Sequence, residues 1–211
     1  MTPVLLTATV TRPVICNLGA PNVASLLAWA RADELGMQPT REHIDKIDIP
    51  VVCLWRDERG WPLWAATDMY PLGEQTEHRQ WLHRRFPADR ADFGSKLKVN
   101  LAAGPYKEKR VPVSAIACMT WLGAALATDV DAVRRLIERV RSLGARAAAG
   151  FGAVHAWTVE PFDCDERFIL ERRAVPIASG LRGGHAARMP WTPPYWHASL
   201  WADCVEAAPC F

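Results

Sequence analysis

Gly150-Phe151-Gly152 sets two glycines around an aromatic ring, and five residues, Arg146 among them, separate it from Gly144 upstream. Glycine suits positions where φ is positive or where a Cβ would collide with a close ligand. Loop N–H groups together with an arginine can hold an anion. The order of pieces is helix, glycine loop, strand, the reverse of the strand, loop, helix order that puts a nucleotide phosphate at a positive helix end. That order disfavours a nucleotide-cofactor enzyme and is compatible with a polyanion gripped along its backbone. A tight turn after a helix would explain the same glycines.

A second group of residues could meet phosphate. From His78 to Arg110 there are nine Lys or Arg (Arg79, Arg84, Arg85, Arg90, Lys96, Lys98, Lys107, Lys109, Arg110) against Asp89, Asp92 and Glu108, 9 − 3 = +6. The whole chain is +2, so the remainder is +2 − 6 = −4. A basic segment on an otherwise acidic chain is the footprint of a polyanion partner; a solvated loop with incidental charge is the alternative. Arg84, Arg85, Lys96, Lys98, Lys107 and Lys109 are the phosphate candidates. RNA cleavage without metal would need a general base and a general acid, for which His43, His78, His83, His155, His185 and His197 are available, with Tyr106 or Lys107 assisting; no diagnostic spacing pairs them. The cysteines (Cys16, Cys53, Cys118, Cys164, Cys204, Cys210) form no Cys-x-x-Cys pair, so buried thiols are a better reading than zinc, although Cys204 and Cys210 could join His197 or His185 around a metal.

The elements that must position these groups follow from periodicity. Residues 4–11 read as a strand. Asn22 caps a helix through Val23, Leu26, Leu27, Ala30 and Leu35 that stops at Gly36, with Trp29 assigned to the core. Residues 49–56 and 60–67 form a hairpin, and Trp55, Trp61 and Trp64 cluster there. Residues 70–111 read as an insertion with a short basic helix or turn around Trp81, His83, Arg84, Arg85 and Phe86, and a strand at Lys96-Leu97-Lys98-Val99-Asn100. Residues 112–126 are taken as one buried strand. Thr128 or Asp129 caps a helix whose stripe is Val130, Val133, Leu136, Ile137, Val140 and Leu143, with Arg134, Arg135, Arg139 and Arg141 opposite and Gly144 as its C′ residue. Residues 154–161 are the last strand. The sum is an α+β, ferredoxin-like (RRM-like) βαββαβ sheet over 1–161 with residues 5–6 and 150–159 adjacent at its centre, a basic insertion at about 70–111, and an irregular Pro- and Trp-rich extension over 162–211. Phe168-Ile169-Leu170 and residues 174–177 are expected to be short edge strands.

Half of the residues are hydrophobic, enough for a real core, and ten are tryptophan. No run reaches membrane-span length and the N-terminus lacks a basic-then-apolar leader, so the expectation is a soluble cytoplasmic protein.

The glycine loop resembles that of the RAMP superfamily of CRISPR-associated RNA-binding proteins, with Ser142-Leu143-Gly144 where many members carry a further Gly-x-Gly. Leu26-Leu27-Ala28-Trp29-Ala30-Arg31-Ala32, Trp64-Ala65-Ala66, Gly104-Pro105-Tyr106-Lys107 and Pro193-Pro194-Tyr195-Trp196 are similar, in order, to one branch: the small backbone subunit of type IV CRISPR effector complexes that holds the guide-RNA 5′ handle. The resemblance implies the ferredoxin-like fold and a thumb-like, RNA-facing insertion. It implies a non-catalytic scaffold capping the 5′ handle of the guide RNA beside the large subunit and the repeating backbone subunit, without metal or cofactor. The RNA-binding set is then Arg84, Arg85, Lys96, Lys98, Tyr106, Lys107 and Lys109 of the insertion and Arg146, Gly150, Phe151 and Gly152 of the loop. A RAMP endoribonuclease that processes repeat RNA is the alternative.

Overall fold

The first strand sets the pattern: along β1 (Thr2–Val10), Val4, Leu6, Ala8 and Val10 are buried while Pro3, Leu5, Thr7 and Thr9 stay half-exposed, the period-2 signature of a sheet covered on one face. A computed structural model describes residues 1–16, 20–37, 46–84, 109–193 and 197–207, the side chains of 83, 84, 109 and 198 excepted. After β1 come β2 (Val14–Ile15), α1 (Val23–Glu34), β3 (Cys53–Arg56), β4 (Pro62–Trp64), β5 (Tyr70–Leu72), β6 (Thr76–Arg84), β7 (Lys109–Ala117), β8 (Thr120–Ala127), α2 (Val130–Ile137), β9 (Val154–Pro161), α3 (Glu166–Glu171), β10 (Val175–Pro176), β11 (Ala186–Pro190) and β12 (Trp201–Val205).

The principal sheet runs β5-β8-β1-β9 with every neighbour antiparallel. With α1 between β1 and β5, and α2 between β8 and β9, this is the ferredoxin-like βαββαβ arrangement. Its second strand is the short β5, however, rather than the 49–67 hairpin, which lies before it. β9 pairs with β1 as expected but closes the sheet as an edge.

Both helices start at side-chain caps: Asn22 accepts from the Ala24 N–H and Asp129 from the Ala132 N–H. They lie side by side, and here the arginine face of α2 is largely used up. Arg139 bonds Asp33 at 2.6 Å, Arg135 lies 3.5 Å from Glu34, and Arg134 bonds Asp131 at 2.7 Å.

Residues 112–126 are two strands, not one. The chain breaks at Cys118 and Met119, so that β7 joins a separate sheet, β2-β7-β6, and only β8 enters the principal one. The apolar run is continuous because both strands are buried in places, and burial alone does not reveal a corner. Trp81 and Arg84, expected in a short helix or turn, belong to β6, whose nine residues pair in register with β7. Ile15, Val113 and Ala115 form the core under this second sheet, with Leu82, Val111, Ala145 and Phe151 packed on it.

The C-terminal extension is more regular than its proline content suggests. Phe168, Ile169 and Leu170 sit in α3, capped by Asp165 on the Phe168 N–H, with Ile169 fully buried. β10, β12 and β11 then form a small antiparallel sheet whose core unites Val175, Trp191, Leu200 and Cys204 with Trp61 and Leu63 of the β3–β4 hairpin. Arg173, 1% exposed, stitches the two together by donating to the carbonyls of Trp64, Trp191 and Ala174. No helix among the described residues is long and apolar enough to cross a membrane.

Candidate nucleic-acid interface

The glycine loop is held at both ends by β2 and the residue before it. Ala145 N–H donates to Ile15 O at 2.9 Å and Gly152 N–H to Pro13 O at 2.8 Å, while Leu143 N–H reaches Gly152 O at 2.8 Å. Between these clamps the chain makes one 3₁₀ turn, Ala147–Ala149, flanked by Arg146 (φ 68°) and Gly150 (φ 84°), both left-handed. Arg146 is the one non-glycine with positive φ among the described residues. Holding an arginine there costs on the order of 1–3 kcal/mol, a strain met most often where a side chain must be aimed.

The two glycines around Phe151 have different jobs. A Cβ on Gly152 would sit 1.9 Å from Leu143 O, so this residue lets the loop close on the segment before it. A Cβ on Gly150 would meet nothing within 4 Å; only its φ calls for glycine. Phe151 itself is half-buried against the core under the second sheet. Gly144 is left-handed (φ 72°) but is not the C′ residue of α2, which ends at Ile137 with Glu138 as C-cap. The negative end of the helix dipole is felt only within its last turn. The loop therefore lies beyond it, and the dipole of α2 does not disfavour an anion there.

Arg141 and Arg146 are exposed and take part in no ion pair or side-chain hydrogen bond among the described residues, unlike the α2 arginines. Both line a cavity of about 1440 Å³ between α1, the loop and the C-terminal sheet, as do Trp29, Asp33, Asp68 and Trp191. Trp29 is 54% exposed and not in the core. It lies on the outer side of α1, whose inner positions are filled by Val23, Ala24, Leu27 and Ala30. Asp68 accepts from Asn22 Nδ2 at 2.8 Å, and burial raises its carboxyl to about 6 against the opposing effects of Asn22 and Arg173. A carboxyl raised in the folded state binds its proton more tightly there than in the unfolded chain, so its contribution to stability falls as pH climbs from about 4 to about 6. Asp68→Asn, which keeps the acceptor for Asn22, is therefore expected to raise the melting temperature at pH 7.5 and leave it unchanged at pH 3.5; equal shifts at both pH values would contradict this.

The second basic surface is the β6–β7 hairpin. Arg79 and Trp81 alternate on β6 opposite Ser114 and Pro112 of β7, which puts them on one face, and His83 pairs in register with Arg110. Arg79 and Arg110 are exposed and Trp81 is 63% exposed. Arg84 and Lys109 are directly opposed in register at the end of the described hairpin. Arg85, Lys96, Lys98, Tyr106 and Lys107 lie outside the described residues, as does the strand expected around Lys98. Sequence reasoning counted Arg79 and Arg110 in the basic segment without singling them out. Trp29, which its spacing assigns to the core, and Trp81, expected in a basic helix or turn, are both exposed, a distinction composition cannot make.

The described histidines are dispersed: His78 and His83 on β6, His155 on β9, His185 before β11, and His197 bonded to Ser199 Oγ at 2.7 Å; His43 lies outside the described residues. Burial raises the thiols of Cys16 and Cys164 to about 11 and that of Cys204 to about 12, which holds them protonated rather than as nucleophiles. Among the described residues no three His, Cys, Asp or Glu side chains are placed to hold a metal ion.

No protein-family model and no curated protein matches the chain. Among solved structures it is similar, at 15% identity and a TM-score of 0.43, to a chain in the cryo-EM structure of the Type III-B Cmr-beta bound to cognate target RNA; the match covers 76% of this chain and spans 61% of the other.

Proposed function

We propose that the protein is a non-catalytic RNA-binding subunit of a CRISPR-type ribonucleoprotein. The finer reading is a type IV-like backbone subunit that caps the 5′ handle of the guide RNA beside the large and repeating backbone subunits. The observation that carries it is Arg146: an exposed guanidinium with no partner among the described residues, held in a strained left-handed conformation on the rim of a clamped glycine loop that also carries the exposed Arg141. Arg79 and Arg110 add cationic surface on the hairpin, where β6 and β7 pair in register. Phosphate contacts of this kind supply affinity and register for a single strand. The ferredoxin-like sheet and the sequence resemblance to RAMP proteins support the assignment to that class.

Arg146→Gly separates a functional arginine from an incidental one. Glycine adopts φ 68° without the Cβ penalty, so the variant is expected to melt at the same or a higher temperature. RNA affinity is expected to fall severalfold, with the salt dependence reduced by about 0.7 in log–log slope, one phosphate contact on a single strand. Undiminished affinity would remove the loop from the interface.

A further inference from the structure

We propose that the cavity beside Arg146 takes one unpaired base of a single-stranded RNA, stacked on the Trp29 indole, with its flanking phosphate at Arg141 and Arg146. This deepens the RNA-binding reading and rests on it. The cavity is lined by Trp29, Arg141 and Arg146 together, so an exposed indole and two guanidinium groups with no partner among the described residues share one space. At about 1440 Å³ it exceeds the ~300–1,000 Å³ usual for small-molecule sites and has the dimensions of a cleft that admits a chain. The acids lining it do not cancel the arginines. Asp33 is engaged by Arg139 at 2.6 Å, and Asp68 is engaged by Asn22 at 2.8 Å. That leaves Glu206, exposed after β12, as the acid with no side-chain partner among the described residues. The α1 positions that face the core are already filled, so an exposed indole at Trp29 contributes nothing to packing there. An aromatic face beside cationic groups is how single strands are held with little sequence preference.

The test uses the full chain and a polyuridylate oligonucleotide, titrated against wild type, Trp29→Ala, Trp29→Phe and Arg146→Gly at several salt concentrations. Loss of one stacked base is expected to weaken binding by Trp29→Ala about 5- to 100-fold. Its salt slope should stay that of wild type, because no phosphate contact is lost. Trp29→Phe should recover most of the affinity, and both Trp29 variants should melt with wild type because the ring is exposed. If Trp29→Ala binds as tightly as wild type while Arg146→Gly binds weakly, the RNA-binding reading stands and the stacking site is wrong. If wild type binds no RNA, both fall. Undiminished RNA affinity in Trp29→Ala together with loss of wild-type self-association would assign the cavity to a second copy of the chain and overturn the proposal.

Discussion

Gly152→Ala is expected to destabilise the protein by about 3 kcal/mol or more, the sum of a left-handed backbone and a forced overlap, each on the order of 1–3 kcal/mol. The residue has φ 62°, and a Cβ would stand 1.9 Å from Leu143 O and 2.9 Å from Leu143 C, backbone atoms that cannot rotate away. Relief would require opening the Leu143 N–H to Gly152 O bond, and with it the clamp that Gly152 N–H makes to Pro13 O. At roughly 2–4 °C per kcal/mol for a chain of this size, melting should fall by about 6–12 °C. Gly150→Ala is the control. It carries φ 84° but has open space around the added methyl, so its cost should stay near 1 kcal/mol. Equal melting of the two variants would mean that Gly152 does not close against Leu143.

Arg173→Leu should cost about 2–6 kcal/mol, at roughly 1–3 kcal/mol for each of two buried carbonyls left without a donor. The guanidinium is buried and donates to carbonyls in two different units, Trp64 on the hairpin and Trp191 in the C-terminal extension. Leucine fills similar space but leaves those carbonyls without their donor, at roughly 1–3 kcal/mol each. Lysine should not rescue it, since one ammonium cannot reproduce a planar fork that spans both. Denaturant titration gives the size of the effect. Limited proteolysis gives its place, with the first cuts expected between residues 174 and 207, where the small sheet would detach. A loss below about 1 kcal/mol would show that the apolar contacts of Trp61, Trp191 and Leu200 dock the extension without it.

These effects mark where sequence reading succeeds. β1, α1 and β9 were legible because each couples a clear period to a boundary residue: Asn22 and Gly36 at the ends of α1, Pro161 at the end of β9. The break between β7 and β8 was not, because Cys118 and Met119 are as apolar as their neighbours and no glycine or proline marks the corner. α3 was hidden by shortness, although Asp165 followed by Glu166 is a cap signal. The glycine loop was found by composition, but the division of labour between Gly150 and Gly152 depends on the path of Leu143, a tertiary fact. Trp29 shows the limit most plainly. Its spacing belongs to the buried stripe, and only the neighbouring cavity reveals that the ring faces outward.

The central claim proposed above is that this chain holds single-stranded RNA through exposed arginines and does not cut it. The direct measurement is a titration of CRISPR repeat RNA in EDTA across a salt series, with wild type compared with the Arg79→Gln/Arg110→Gln/Arg146→Gly variant, and the RNA recovered and sized afterwards. The account predicts tight wild-type binding, a log–log slope shallower by about 2 in the variant at roughly 0.7 per lost contact, and RNA of unchanged length. An unchanged slope, or RNA cleaved at a specific position and protected by a single His→Ala substitution, would contradict it.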